Sequence, residues 1–165
     1  MSTVEEVMEY VREHELMLTT AESCTAGAIV SRLASVPGCG SYVDAGYVVY
    51  SPAAKKRLLG VRQATLDRFN LTSQEVALEM AAGALKDSEA NVVVANTGLA
   101  GPGEVDGIPP GTLWFAWGFR LDGRVHLFSE LRRFPGERQE IIDAAADYAL
   151  AQIPAYHRRA LRGEG

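Results

Sequence analysis

Three stretches gather the side chains able to do chemistry: Glu22-Ser23-Cys24-Thr25, Tyr50 with Lys55 and Lys56, and the irregular glycine-rich run from Thr97 to Gly111. The first offers two hydroxyls and a thiol, the second a phenol and two amines. A hydroxyl at a helix entrance, an amine base and a phenolic proton relay together would make a nucleophilic site. Taken singly, each has a plainer reading. A Ser or Thr ahead of a helix is a cap, a Tyr at a strand end packs, and a Lys on a helix is a solvated charge. Spacing alone leaves open whether Lys55 or Lys56 points inward, and Cys24 is read as structural rather than as the nucleophile.

To bring these groups together, the fold must place each stretch at the end of a strand. Apolar residues from Val4 to Leu16 recur at helical spacing and predict an opening helix. Met17 to Ala21 reads as a strand running into Ser23, and Ala28 to Ala34 as helix, so Ser23 to Thr25 fall on a strand-to-helix turn. Tyr42 to Tyr50 is a second strand, stopped by Ser51-Pro52, with a short helix from Ala53 to Leu59 ended by Gly60. Helices are predicted at Gln63 to Phe69 and Ser73 to Lys86, and a buried strand at Asn91 to Asn96. Thr97 to Gly111 is read as neither helix nor ladder. Thr112 to Phe119 and Val125 to Phe134 form a hairpin turning at Asp122-Gly123, with Trp114 and Trp117 on opposite faces. A last helix from Gly136 to Gln152 stops before Pro154 and leaves a frayed basic tail.

That order predicts a single domain over residues 1–165, an α/β sandwich around a mixed sheet. In such sheets ligands bind where strand C-termini feed loops, which is where the three reactive stretches lie. With 165 residues, 47% hydrophobic and 22% charged, the composition is that of a globular chain. A net charge of −5 without a long basic run argues against a nucleic-acid groove and leaves room for a small anion site. No apolar stretch is long enough to span a bilayer, and the acidic N-terminal segment is not a signal peptide; a cytoplasmic protein is expected. Two cysteines and the scattered His14, His126 and His157 suggest neither a disulfide framework nor a metal site.

Ala21-Glu22-Ser23-Cys24-Thr25-Ala26-Gly27, Tyr50-Ser51-x-x-Ala54-Lys55, Thr97-Gly98-Leu99-Ala100-Gly101-Pro102-Gly103 and Gly111-Thr112 resemble, in order and over roughly Val4 to Leu150, the CinA C-terminal-domain family. Its stand-alone bacterial members include nicotinamide-nucleotide amidohydrolase. The resemblance implies a three-layer α/β/α fold with a mixed five-stranded sheet. It also implies hydrolysis of the carboxamide of nicotinamide mononucleotide (NMN) to the nicotinate nucleotide and ammonia, with no cofactor. Ser23, Tyr50 and Lys55 take the catalytic positions. Cys24, Thr25, Gly27, Thr97, Gly98, Ala100, Gly101, Gly103 and Arg138 take the substrate positions. The expected partner is a pyridine nucleotide, with no nucleic acid and no membrane, and a homo-oligomer is implied. On this reading the Cys24 and Thr25 amides form the oxyanion hole, and the glycines from Gly98 to Gly103 let backbone approach a ribose phosphate.

Five positions depart from the family pattern. Pro52 replaces the usual Asn, Ile108 a Lys and Ile142 an Arg, and Glu104 with Asp106 adds acid to a stretch that is usually glycine. If these positions line the pocket, attraction for a phosphorylated substrate falls. Two alternatives follow: an amidase for a less charged carboxamide, or a degenerate paralogue that binds a nucleotide or protein without turnover.

Overall fold

The computed structural model describes residues 2–165. Five strands form one sheet in the order β2-β1-β3-β4-β5. β1 (Leu18–Glu22) lies parallel to β2 (Val43–Val48) and to β3 (Val92–Gly98), while β4 (Thr112–Leu121) and β5 (Arg124–Arg133) continue it antiparallel. The mixed sheet expected from the sequence is borne out.

Alternation along the strands sends side chains into two cores. Val92, Val94, Leu113, Phe115, Trp117 and Phe119 face α1 (Val4–Glu13), α2 (Ala28–Ala34), α6 (Arg138–Ala151) and α7 (Ile153–Leu161). Val93, Ala95 and Ala116 face the other way, toward α5 (Gln74–Asp87) and the end of α3 (Pro52–Leu59), with α4 (Gln63–Phe69) packed alongside α5. Trp117 is buried in the first core and Trp114 borders the second, on opposite faces as predicted.

Local chemistry sets the elements that carry the site. Ser51 caps α3 by accepting from the Ala54 amide at 3.0 Å, and Pro52 sits at the first helical position, where its missing N–H is no loss. α3 then lies close against α5. A Cβ at Gly83 would stand 1.9 Å from the Leu59 carbonyl oxygen, so only glycine permits this approach.

Three expectations need correction. Thr97 and Gly98 do join the ladder, paired with Trp114 and Leu113, because β3 is sandwiched between two strands and β4 supplies acceptors that far. Farther along the same run, Val105 and Ile108 bridge in a small hairpin. The basic tail is not frayed. Pro154 starts α7 rather than ending the chain's order, and the apolar face Ile153, Pro154, His157 and Ala160 is buried. His157 accepts or donates at 2.7 Å with the Tyr10 hydroxyl of α1, and His14 stacks on Tyr10. Sequence periodicity missed α7 because an internal proline reads as a stop, whereas at a helix start it is favourable.

Candidate active site

The turn after β1 is built on a buried carboxylate. Glu22, fully buried, accepts from the Thr25 hydroxyl at 2.7 Å and from the amides of Gly27, Ile29 and Val30 at 3.2, 2.9 and 3.0 Å. Gly27, the N-cap of α2, has no side chain to serve those amides, so Glu22 does the capping from the preceding strand. Asn96, its register partner on β3, completes the clamp. Its side-chain nitrogen donates to the Thr25 hydroxyl at 2.7 Å, and its main-chain carbonyl accepts from the Ser23 amide at 3.2 Å. The sequence alone assigns no role to Glu22 or to Asn96. What could have flagged them is the lack of a capping side chain at Gly27 and the position of Asn96 at the predicted strand's end.

This clamp changes the expected roles of Thr25 and Gly27. The Thr25 amide faces the Asn96 side-chain oxygen at 3.4 Å, and α2 begins only at Ala28, so Thr25 is a strut of the turn rather than an oxyanion donor. Gly27 lies outside the cavity and holds the left-handed turn at φ 96°. The Cys24 amide is the one N–H of the Ser23 to Thr25 turn that Asn96 does not engage.

Lys55 answers the question of register. Its side chain is 2% exposed, and Nζ lies 2.8 Å from Ser23 Oγ, 2.9 Å from the Val49 carbonyl and 3.2 Å from the Tyr50 carbonyl. Lys56 points outward to Gln63 at 2.8 Å. Burial pushes the Lys55 amine down to about 8, since a charge is disfavoured away from water. The same burial pushes the Cys24 thiol up to about 11, with Arg138 opposing, which keeps it protonated at neutral pH.

The geometry around Nζ has a chemical meaning. Carbonyl oxygens only accept, so a neutral amine gives its two N–H groups to Val49 and Tyr50 and turns its lone pair to the Ser23 hydroxyl. Such a pair can take the proton from Oγ as Oγ attacks an electrophile.

A cavity of about 300 Å³ opens above this pair. Of the residues expected there, Ser23, Cys24, Tyr50, Lys55, Thr97, Gly98, Ala100, Gly101, Gly103 and Arg138 line it. Leu71, Thr72, Leu99, Pro102 and Val105 line it too and were not foreseen; the first two come from the α4–α5 connection, which carries no motif. The Tyr50 phenol does not meet Lys55. The ring is half-exposed, its hydroxyl accepts from Arg138 Nη2 at 2.9 Å, and only its main-chain carbonyl meets the amine. Arg138, at the start of α6, also donates to the Gly101 carbonyl. Thr97 is buried and donates to the Leu71 carbonyl at 2.9 Å, tying β3 to that connection. Gly98 is required by its neighbours, since a Cβ would lie 2.5 Å from the Thr112 carbonyl oxygen.

The charge of the lining differs from that of the whole chain. Lys55 and Arg138 are its charged residues, and it contains no carboxylate. Pro52, Glu104, Ile108 and Ile142 all lie outside it; Ile142 packs on the first core instead. Among the described residues no group of three or more His, Cys, Asp or Glu side chains could hold a metal, and no helix is long and apolar enough to cross a membrane.

Comparison with known proteins gives a consistent neighbourhood. The CinA C-terminal domain family matches residues 1–156. Nicotinamide-nucleotide amidohydrolase PncC from Pseudomonas putida is 43% identical over 134 residues, covering 81% of each chain. Protein YdeJ from Escherichia coli K12 is 39% identical over 84% of this chain and 79% of its own. The crystal structure of a competence or damage-inducible protein from Enterobacter asburiae superposes with a TM-score of 0.87 at 35% identity, covering 94% of this chain and 99% of that one. Some longer relatives match over little more than a third of their length.

Proposed function

The chain belongs to the CinA C-terminal domain family, and on that footing we propose that it is an amidohydrolase converting NMN to nicotinate mononucleotide and ammonia, the whole chain acting as one catalytic domain. The observation that carries this reading is the 2.8 Å contact between Lys55 Nζ and Ser23 Oγ, with both other Nζ partners being carbonyl oxygens.

Neutral Lys55 takes the Ser23 proton as Oγ attacks the carboxamide carbon, and the oxygen that becomes negative turns to the Cys24 amide. The Lys55 ammonium then protonates the leaving nitrogen. The C–N bond breaks, ammonia departs, and an ester joins the nicotinoyl group to Ser23. Water attacks that ester with Lys55 again as base, and the carboxylate product leaves. Tyr50 does not relay the proton; its hydroxyl and the Gly101 carbonyl hold Arg138 at the cavity. A guanidinium so anchored suits a phosphate, which accounts for a positive lining in an acidic protein. The isoleucines at 108 and 142 therefore take no cation from the lining, and the phosphorylated substrate is favoured over a less charged carboxamide.

Ammonia release from NMN, compared with nicotinamide riboside and between wild type and Ser23→Ala, tests this directly. Turnover of NMN that vanishes in Ser23→Ala and is slower on the riboside is the expected result. A folded wild type that is stabilised by NMN yet releases no ammonia would mean a binding protein instead.

A further inference from the structure

Attack by Ser23 on an amide leaves an ester on its oxygen, and the residues around that ester decide what can take the acyl group away. Lys55 is the base there. Among the described residues lining the cavity there is no carboxylate and no imidazole, and burial pushes the Cys24 thiol up to about 11. Two of the other hydroxyls are engaged: Thr97 donates to the Leu71 carbonyl at 2.9 Å, and Tyr50 accepts from Arg138 at 2.9 Å. Thr72, the remaining one, comes from the α4–α5 connection and not from the turns that carry Ser23 and Lys55. The incoming nucleophile is thus placed by Lys55 Nζ, 2.8 Å from Ser23 Oγ, with no acid or imidazole beside it to tell one small nucleophile from another.

Microscopic reversibility fixes what that position accepts. Ammonia leaves from it, taking a proton from the Lys55 ammonium as the C–N bond breaks. The reverse of the same step is attack by an amine nitrogen on the Ser23 ester, with neutral Lys55 taking its proton. A position that releases ammonia therefore receives an amine nitrogen as well as a water oxygen. Charge and size restrict which amine. Only an uncharged nitrogen has a lone pair to attack with, and Arg138, with no carboxylate in the lining to balance a second cation, keeps ammonium ions from collecting there. A cavity of about 300 Å³ is at the small end for ligand pockets, so an acyl group of nucleotide size leaves room for few further atoms.

We propose a second activity for the Ser23–Lys55 site, acyl transfer from the carboxamide to small uncharged amines of the hydroxylamine and hydrazine type. It rests on the amidohydrolase reading, since the donor is the Ser23 ester formed in that reaction. With hydroxylamine, the nitrogen bonds to the ester carbonyl carbon while one of its protons passes to Lys55. The bond from that carbon to Ser23 Oγ then breaks, and Oγ recovers the proton from the Lys55 ammonium. The full sequence exchanges carboxamide and hydroxylamine for hydroxamate and ammonia. No water is consumed, and nothing is oxidised or reduced.

The test incubates the intact protein with NMN at neutral pH and one of three amines at equal total concentration: hydroxylamine, small and uncharged; methylamine, small and cationic; O-benzylhydroxylamine, uncharged and large. Ammonia, the nicotinate nucleotide and the substituted amide are quantified by chromatography and mass spectrometry. Hydroxamate should form at the expense of the acid, in a ratio that rises with hydroxylamine, and the other two amines should give at least about tenfold less product. Ser23→Ala, shown to be folded by circular dichroism, should lose acid and hydroxamate together. Acid and ammonia without hydroxamate overturn the transfer and leave the amidohydrolase reading standing. Equal product from all three amines overturns the stated acceptor class, and hydroxamate that persists in Ser23→Ala overturns the shared ester. Neither acid nor hydroxamate from folded wild type removes the amidohydrolase reading and the transfer with it.

Discussion

Two ionisable side chains are buried on either side of Ser23, and they are held in opposite ways. Beneath α2, Glu22 accepts only from groups fixed in the fold: one hydroxyl and three amides. On the cavity side, Lys55 has two fixed carbonyl partners, and its third is the Ser23 hydroxyl, a group that can itself lose a proton. Both are polar groups in a dry place, yet the first arrangement is closed and the second is open to chemistry. Burial alone therefore does not mark a catalytic group; a partner that can change does.

The contrast can be broken in several places. Replacing Lys55 by Met should lower ammonia release from NMN by at least about 10³-fold while the circular dichroism spectrum is kept. Retained turnover would put the proton elsewhere. Glu22→Ala should act first on stability, leaving three amides and a hydroxyl without their acceptor, at about 3 kcal/mol in urea denaturation. A variant as stable as wild type would show that the clamp is dispensable.

Acidity separates the two groups further. Because burial lowers the Lys55 amine from 10.5 to about 8, kcat/KM should rise about tenfold per pH unit below 8 and level off above it. The sign for stability follows from the same shift. Between about 8 and 10.5 the unfolded chain holds a proton at Lys55 that the folded chain does not, so stability rises with pH across that window, and the penalty is fully present below it. Urea denaturation across that window, with Lys55→Met as the control that should lose the rise, checks it. The smallest effect concerns the turn joining the two groups. Ala26 sits at φ 50°, a left-handed conformation that glycine adopts without penalty, so Ala26→Gly should stabilise the protein by about 1 kcal/mol. An unchanged melting temperature would show that the turn relaxes at no cost.

Ser23 and Lys55 are legible in the sequence only through the family motifs that hold them, since spacing alone leaves Lys55 and Lys56 equal; burial in α3 decides between the two. The clamp is not legible. Glu22 and Asn96 are far apart along the chain and meet only through the parallel register of β1 and β3, which no local spacing reveals. Tyr50 lines the cavity as its motif implies, with its carbonyl on Lys55 and its hydroxyl on Arg138; a strand-end tyrosine can offer either group, and only the path of α3 decides which one meets the amine. Ile108 and Ile142 would bear on the substrate only if they lined the pocket, and they do not; a helix or hairpin position does not say which way a side chain faces. Strand and helix types followed from periodicity nearly throughout. Boundaries shifted where tertiary pairing extended a strand, as at Thr97 and Gly98.

The tie between α1 and α7 bears on how the molecule is made. Tyr10 meets His157 across a separation of 147 residues, and the Val7, Met8 and Val11 face of α1 is buried in a core that α6 and α7 help to close. At about 5–20 residues per second of synthesis, that face waits about 7–30 s for its last cover. Of the elements described, α1 is thus made early and sealed late, and its apolar stripe is a surface that the nascent chain shows to chaperones.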